Sequence, residues 1–172
     1  MKRSKKIAIA AIMSALSVVL LLLGSYLQVM DMSAAAIASF IVMLSVIELG
    51  GGYPYLIWAV TGILSFLLVP DKFGAVLYIV FAGIYPIFKA MFERIHYIVS
   101  WVLKLSFFNT ALTAFVILTR YLLALPDSVG FTVIVYGLGN LVFVLYDITA
   151  TQFITLYLVK LRKRLGLGNY FK

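Results

Sequence analysis

The chain has 172 residues, of which 65% are hydrophobic and 12% charged, with a mean hydropathy of +1.13. A soluble domain carries about 25% charged residues, and a chain this small leaves a large share of its surface exposed. So much apolar surface cannot be hidden from water, which excludes a soluble globular domain, a disordered chain and a nucleic-acid-binding module. The net charge of +8 lies in loops and tails rather than along one face, so it marks no nucleic-acid partner. The lipid bilayer is the solvent.

A helix needs about 20 apolar residues to cross a bilayer. Apolar runs and breakers mark six such segments and predict an all-α integral membrane protein, a compact six-helix bundle forming one transmembrane domain over residues 1–172. The first, 7–27, follows Met1-Lys2-Arg3-Ser4-Lys5-Lys6. It is long for the core of a signal peptide, and Gly24-Ser25-Tyr26 is a poor cleavage context, so we read it as a retained span. The second, 33–49, ends at Gly50-Gly51-Gly52, and the third, 54–69, ends at Pro70-Asp71. Both are short. If they formed a hairpin that does not cross, the count would fall to four, with both termini still on one side. The fourth, 73–91, contains Gly83 and Tyr85-Pro86, which predict a kink. The fifth, 97–123, ends before Pro126-Asp127, and the sixth, 131–159, runs into a basic tail.

Positive loops stay in the cytoplasm. With six spans, twelve of the fourteen lysines and arginines fall on one side, and only Lys72 and Arg120 fall on the other, with Asp31, Asp71 and Asp127. This asymmetry predicts a multi-pass protein of the cell membrane with both termini in the cytoplasm. Tyr97 and Trp101 fall where an inner interfacial belt is expected, and Tyr26 and Tyr121 near the outer one.

Ionisable and polar groups inside a membrane are costly and therefore informative. On the sixth span Tyr136, Asn140, Asp147 and Thr151 are spaced by four, seven and four residues and share one helix face. Asp147 lies about 10 Å further inward than Asn140. The stripe is either a ligand lining or a structural clamp, with Asp147 paired to Lys104 or bonded to Asn109. The depth of Asp147 favours the clamp for that residue, while the higher position of Tyr136 and Asn140 favours ligand contact. Arg120, at the outer end of the fifth span, either snorkels to the surface or binds a carboxylate or phosphate in an outward cavity. Gln28, Asp31, Tyr78 and Asp127 are the other polar groups expected on that side. Lys89, Glu93 and Arg94, with Glu48, read as a solvated or interfacial ion-pair cluster on the inner side.

The chain has no cysteine and one histidine, His96, in a polar loop. A metal centre is not expected, nor a cofactor. No zinc-protease, nucleophile-elbow or Walker motif occurs, so we expect no enzyme; and no span carries a filter signature of a channel.

Small residues four apart allow close helix approach. Ala8, Ala11 and Ala15 lie on one side of the first span, and Ala11-Ile12-Met13-Ser14-Ala15 is an A-x-x-x-A element. The same pattern also serves internal packing. Ala34 to Ala38 and Gly137-Gly139 offer similar surfaces.

Six spans in a chain of this length, both ends inside, no nucleotide motif and the A-x-x-x-A element together resemble the substrate-binding S component of energy-coupling factor (ECF) vitamin transporters. The resemblance covers the whole chain in architecture, and Ala11-Ile12-Met13-Ser14-Ala15 carries it as a motif. It implies a subunit that binds a vitamin or similar small molecule from outside, here by Gln28, Tyr78, Arg120, Tyr136 and Asn140. It also implies partners, a transmembrane coupling protein contacted by Ala8, Ala11 and Ala15, and ATPase subunits that supply ATP hydrolysis. The competing reading is a structural or scaffolding subunit of a cell-envelope complex, like the small rod-shape proteins. That reading expects Asn140 and Asp147 to be satisfied within the bundle.

Overall fold

The computed structural model describes residues 3–27, 30–122 and 133–162, without the side chains of Arg120, Leu122 and Leu161. Among them there is no strand. Helices α1 (Arg3–Tyr26), α2 (Asp31–Glu48) and α3 (Tyr53–Leu68) come first. A broken rod follows, built from α4 (Lys72–Leu77), a π-helical turn (Tyr78–Ala82) and α5 (Tyr85–Phe92). Then come α6 (Tyr97–Leu122) and α7 (Val133–Leu156), which runs on through a second π turn, Tyr157–Leu161. With the broken rod counted as one, the described residues form six helices, each within four residues of an expected segment. Five are long and apolar enough to cross a membrane. The exception, α3, has 16 residues, or about 24 Å of helix. This is the build of a multi-pass membrane protein.

The breaks have local causes. Gly50 and Gly51 adopt φ of +60° and +58°, which residues with a Cβ avoid, and they reverse the chain after α2. Pro54 then sits in the first turn of α3, where its missing N–H is harmless. At the other end of α3, Val69 is extended before Pro70, as the proline ring requires. Asp71 caps α4 by accepting a hydrogen bond from the Phe73 N–H at 3.0 Å.

The kink expected at Gly83 is a π turn. The Gly83 N–H donates to the Tyr78 carbonyl at 2.8 Å, and the Trp58 indole donates to the Ile79 carbonyl at 3.0 Å. A Cβ on Gly83 would lie 2.7 Å from both Trp58 Cδ1 and Tyr78 Cζ, so only glycine allows these rings to close on the turn. Pro86 sits in the first turn of α5 and cannot donate back to the preceding turn.

Two ends of the bundle are defined by side-chain contacts. At one, Lys6 Nζ donates to the last carbonyl region of α2, at Leu49 O, 3.0 Å away, where a cation complements the helix dipole. Glu48 there pairs with Arg162 at 3.0 Å and accepts from the Tyr157 hydroxyl at 3.0 Å. Arg3 and Arg162 are thus on the same end, here called the basic end. At the opposite end the Asp71 N–H donates to Ser25 Oγ at 3.1 Å, and Phe73 meets Phe115 edge-on, centroids 5.2 Å apart.

Two cores fill the bundle. Leu21, Val42, Ile57 and Tyr78 belong to the first, where α1, α2, α3 and the π turn meet. Gly24 brings α1 against α2, since a Cβ there would lie 2.4 Å from Ala34 Cβ. The second core is aromatic. Tyr85, Phe108 and Phe143 are its buried members, with Phe81, Phe107 and Tyr146 packed around them, and Phe108 stacks on Phe143 at 4.6 Å.

Candidate functional site

Below the aromatic core, toward the basic end, four charges converge from three helices. Helix α5 and its cap supply Tyr85, Lys89 and Glu93, spaced by four residues and so on one face. Helix α6 supplies Lys104, and α7 supplies Asp147 and Thr151. Lys89, Asp147 and Lys104 are 1%, 3% and 4% exposed, whereas the Glu93 side chain is 39% exposed.

Asp147 is the centre. Its Oδ1 accepts from Lys89 Nζ and from the Tyr85 hydroxyl, and its Oδ2 accepts from Lys104 Nζ at 3.0 Å. Lys89 also donates to Thr151 Oγ1 at 2.8 Å and pairs with Glu93 Oε1 at 2.7 Å. That same Glu93 oxygen accepts from Lys104 at 3.0 Å. Two ammonium and two carboxylate groups therefore cancel in charge. Burial of a lone ion costs several kcal/mol, and mutual pairing with hydrogen bonds offsets it. The Lys104 ammonium also lies over the Trp101 ring, 5.4 Å from its centroid, a further cation–π attraction.

A cleft of about 410 Å³ adjoins the cluster. Glu93, Lys104 and Asp147 line its charged end, and Ile95, Tyr97, Trp101 and Ile148 supply most of its apolar wall. Ser100, Thr151 and Gln152 complete it.

Further along α7, away from the basic end, a second polar seam joins it to α6. Asn109 and Asn140 exchange amide hydrogen bonds at 3.1 and 3.0 Å, and the Thr113 and Tyr136 hydroxyls are 2.9 Å apart.

Of the residues expected to bind a ligand, Tyr136 and Asn140 are half-buried and bonded to α6 in this seam. Tyr78 is wholly buried in the other core, against Gly83. Arg120 is in the last turns of α6, with its side chain outside the described residues, as are Gln28 and Asp127. Asp147 pairs with Lys104, one of its two expected partners, and Asn109 bonds Asn140 instead. Thr151 joins the cluster through Lys89.

The inner ion-pair cluster, expected to be solvated or interfacial, keeps Glu93 at its rim but buries its lysine. Lys89 is buried, because the π turn and Pro86 reset the phase of α5 and turn Tyr85 and Lys89 toward α7. Glu48 stands apart, held by Tyr157 and Arg162. Tyr85 went unrecognised as part of the site. Its signal was the Tyr85, Lys89, Glu93 spacing, whose orientation no helical wheel gives across a break. Among the described residues, no three His, Asp or Glu side chains gather as metal ligands.

Ala8, Ala11 and Ala15 are exposed on α1. The inward face of α1 uses a different set of small residues, Ala10, Ser14, Ser17 and Gly24. No family model, no curated protein and no solved structure matches the chain.

Proposed function

We propose that the chain is a membrane-embedded substrate-binding subunit of an ECF-type uptake system for a vitamin or similar small micronutrient, with ATP hydrolysis supplied by partner subunits. In this reading all six helices cross the cell membrane, and the basic end faces the cytoplasm, because it holds most lysines and arginines. The observation that carries the proposal is the outward position of Ala8, Ala11 and Ala15. Internal packing does not occupy this face, and small residues there let a partner's helix approach closely.

The test is purification of the tagged full chain from its native membrane. A transmembrane coupling protein and ATPases should co-purify, and Ala11→Trp should remove them with an unchanged melting temperature, since Ala11 is exposed. Co-purification unaffected by Ala11→Trp would overturn the docking assignment.

One observation favours the scaffolding reading. Tyr136, Asn140 and Asp147 are each bonded within the bundle. That reading gains if the partners recovered are envelope-synthesis proteins and the purified chain shows no thermal shift across a vitamin screen.

A further inference from the structure

The charged cluster is asymmetric in a way its structural role does not require. Asp147 is enclosed by Lys89, Lys104 and Tyr85. Glu93, the second anion, reaches both ammonium groups through one oxygen from the rim, and is the exposed member of the four. It occupies the C-cap position of α5, just before the link to α6, so its side chain can swing outward without disturbing a helix. Were it to leave, Lys104 would keep Asp147 and face the cleft with part of its charge uncompensated. A cation entering the cleft would meet that ammonium group. An anion would restore the charge balance.

The rest of the cleft selects the body attached to that anion. Tyr97 and Ile95 are exposed at its mouth, and Ile148 leads onto Leu145 and Leu141, which are exposed along α7. The cleft thus runs from a buried ammonium group to continuous apolar surface. We propose that it binds an anionic amphiphile, whose carboxylate or phosphate head replaces the Glu93 carboxylate on Lys104 and whose apolar body lies along Tyr97, Trp101 and Ile148. The site is at the opposite end of the bundle from the outward ligand position that the ECF resemblance implies, and it needs no partner protein.

Trp101 in the cleft wall provides a direct readout. Purified full-length protein in neutral detergent is titrated with 9,10-dibromostearate, a carboxylate-headed quencher of tryptophan fluorescence, and with its uncharged methyl ester. The acid should quench saturably and the ester should not, and the saturable component should vanish in Trp101→Phe. Glu93→Gln removes the competing anion from an exposed position, so it should bind the acid about tenfold more tightly, the effect of one charge-assisted hydrogen bond. Lys104→Gln should weaken binding by about tenfold or more on the same grounds. Competing hexanoate or inorganic phosphate distinguishes the sources. Relief of quenching at millimolar concentration identifies soluble anions as sufficient, and its absence identifies a bilayer amphiphile. Equal quenching by acid and ester, or an unchanged affinity in Glu93→Gln, would overturn the proposal.

Discussion

Burial decides which residues of the charged cluster matter for stability. Asp147 and Glu93 each bridge two lysines, yet their environments differ by an order of magnitude in exposure. Asp147→Asn leaves two buried ammonium groups with one rim carboxylate, and breaking a buried pair costs about 3–5 kcal/mol. Glu93→Gln leaves both lysines on Asp147 and removes a carboxylate at the rim, where water can take its place, so it should cost clearly less than Asp147→Asn. Unfolding of the purified protein by heat or denaturing detergent should therefore separate the two variants clearly. Comparable losses would mean that the rim pair is as enclosed as the central one. The amide seam gives a smaller effect. Asn140→Ala removes both bonds across α6 and α7 and leaves the Asn109 amide only its bond to the Leu105 carbonyl, and interhelical hydrogen bonds in membranes are worth about 0.6–2 kcal/mol.

The broken rod is the element on which the site depends. Its π turn has an extra residue, which alters the direction of every side chain beyond it and carries Tyr85 and Lys89 to α7. Gly83 allows that turn by leaving room for the Trp58 and Tyr78 rings. Gly83→Ala would force a methyl group into contact at 2.7 Å, and overpacking of this kind costs about 1–3 kcal/mol. Gly52→Ala is the matched control, because Gly52 has a negative φ and open space around it. Its melting temperature should stay within a degree or so of the parent, since the substitution adds no strain. A larger loss for Gly52→Ala than for Gly83→Ala would show that the turn, not the close approach, limits stability.

Charge and helix count set the arrangement of the whole molecule. The contacts of Lys6 with Leu49 and of Glu48 with Arg162 bring the first and last described helix ends together. Most of the positive charge is there, so the basic end is expected in the cytoplasm. The chain lacks cysteine, which makes single-cysteine labelling clean. On intact cells, a membrane-impermeant thiol reagent should label the Tyr26→Cys variant and leave the Ser4→Cys and His96→Cys variants unlabelled until the membrane is opened. The reverse pattern would invert the orientation, and labelling at both ends would break the proposed crossing count.

Hydropathy, glycine and proline positions were enough to locate the helices, because a bilayer demands long apolar runs and each break has a local cause at Gly50, Pro70 or Gly83. The pairing of Asp147 with Lys104 was also within reach, since few groups in an apolar chain can compensate a buried carboxylate. Lys89 and Tyr85 were not, because their direction depends on a π turn whose extra residue shifts the helical phase. Equally, the spacing of Ala8, Ala11 and Ala15 says that they share a face, but not where it points. Only packing decided that, by filling the inward side of α1 with Ser14, Ser17 and Gly24 and leaving the alanines outside. Local chemistry along the chain determined where helices start and stop, and tertiary contact determined which polar groups meet.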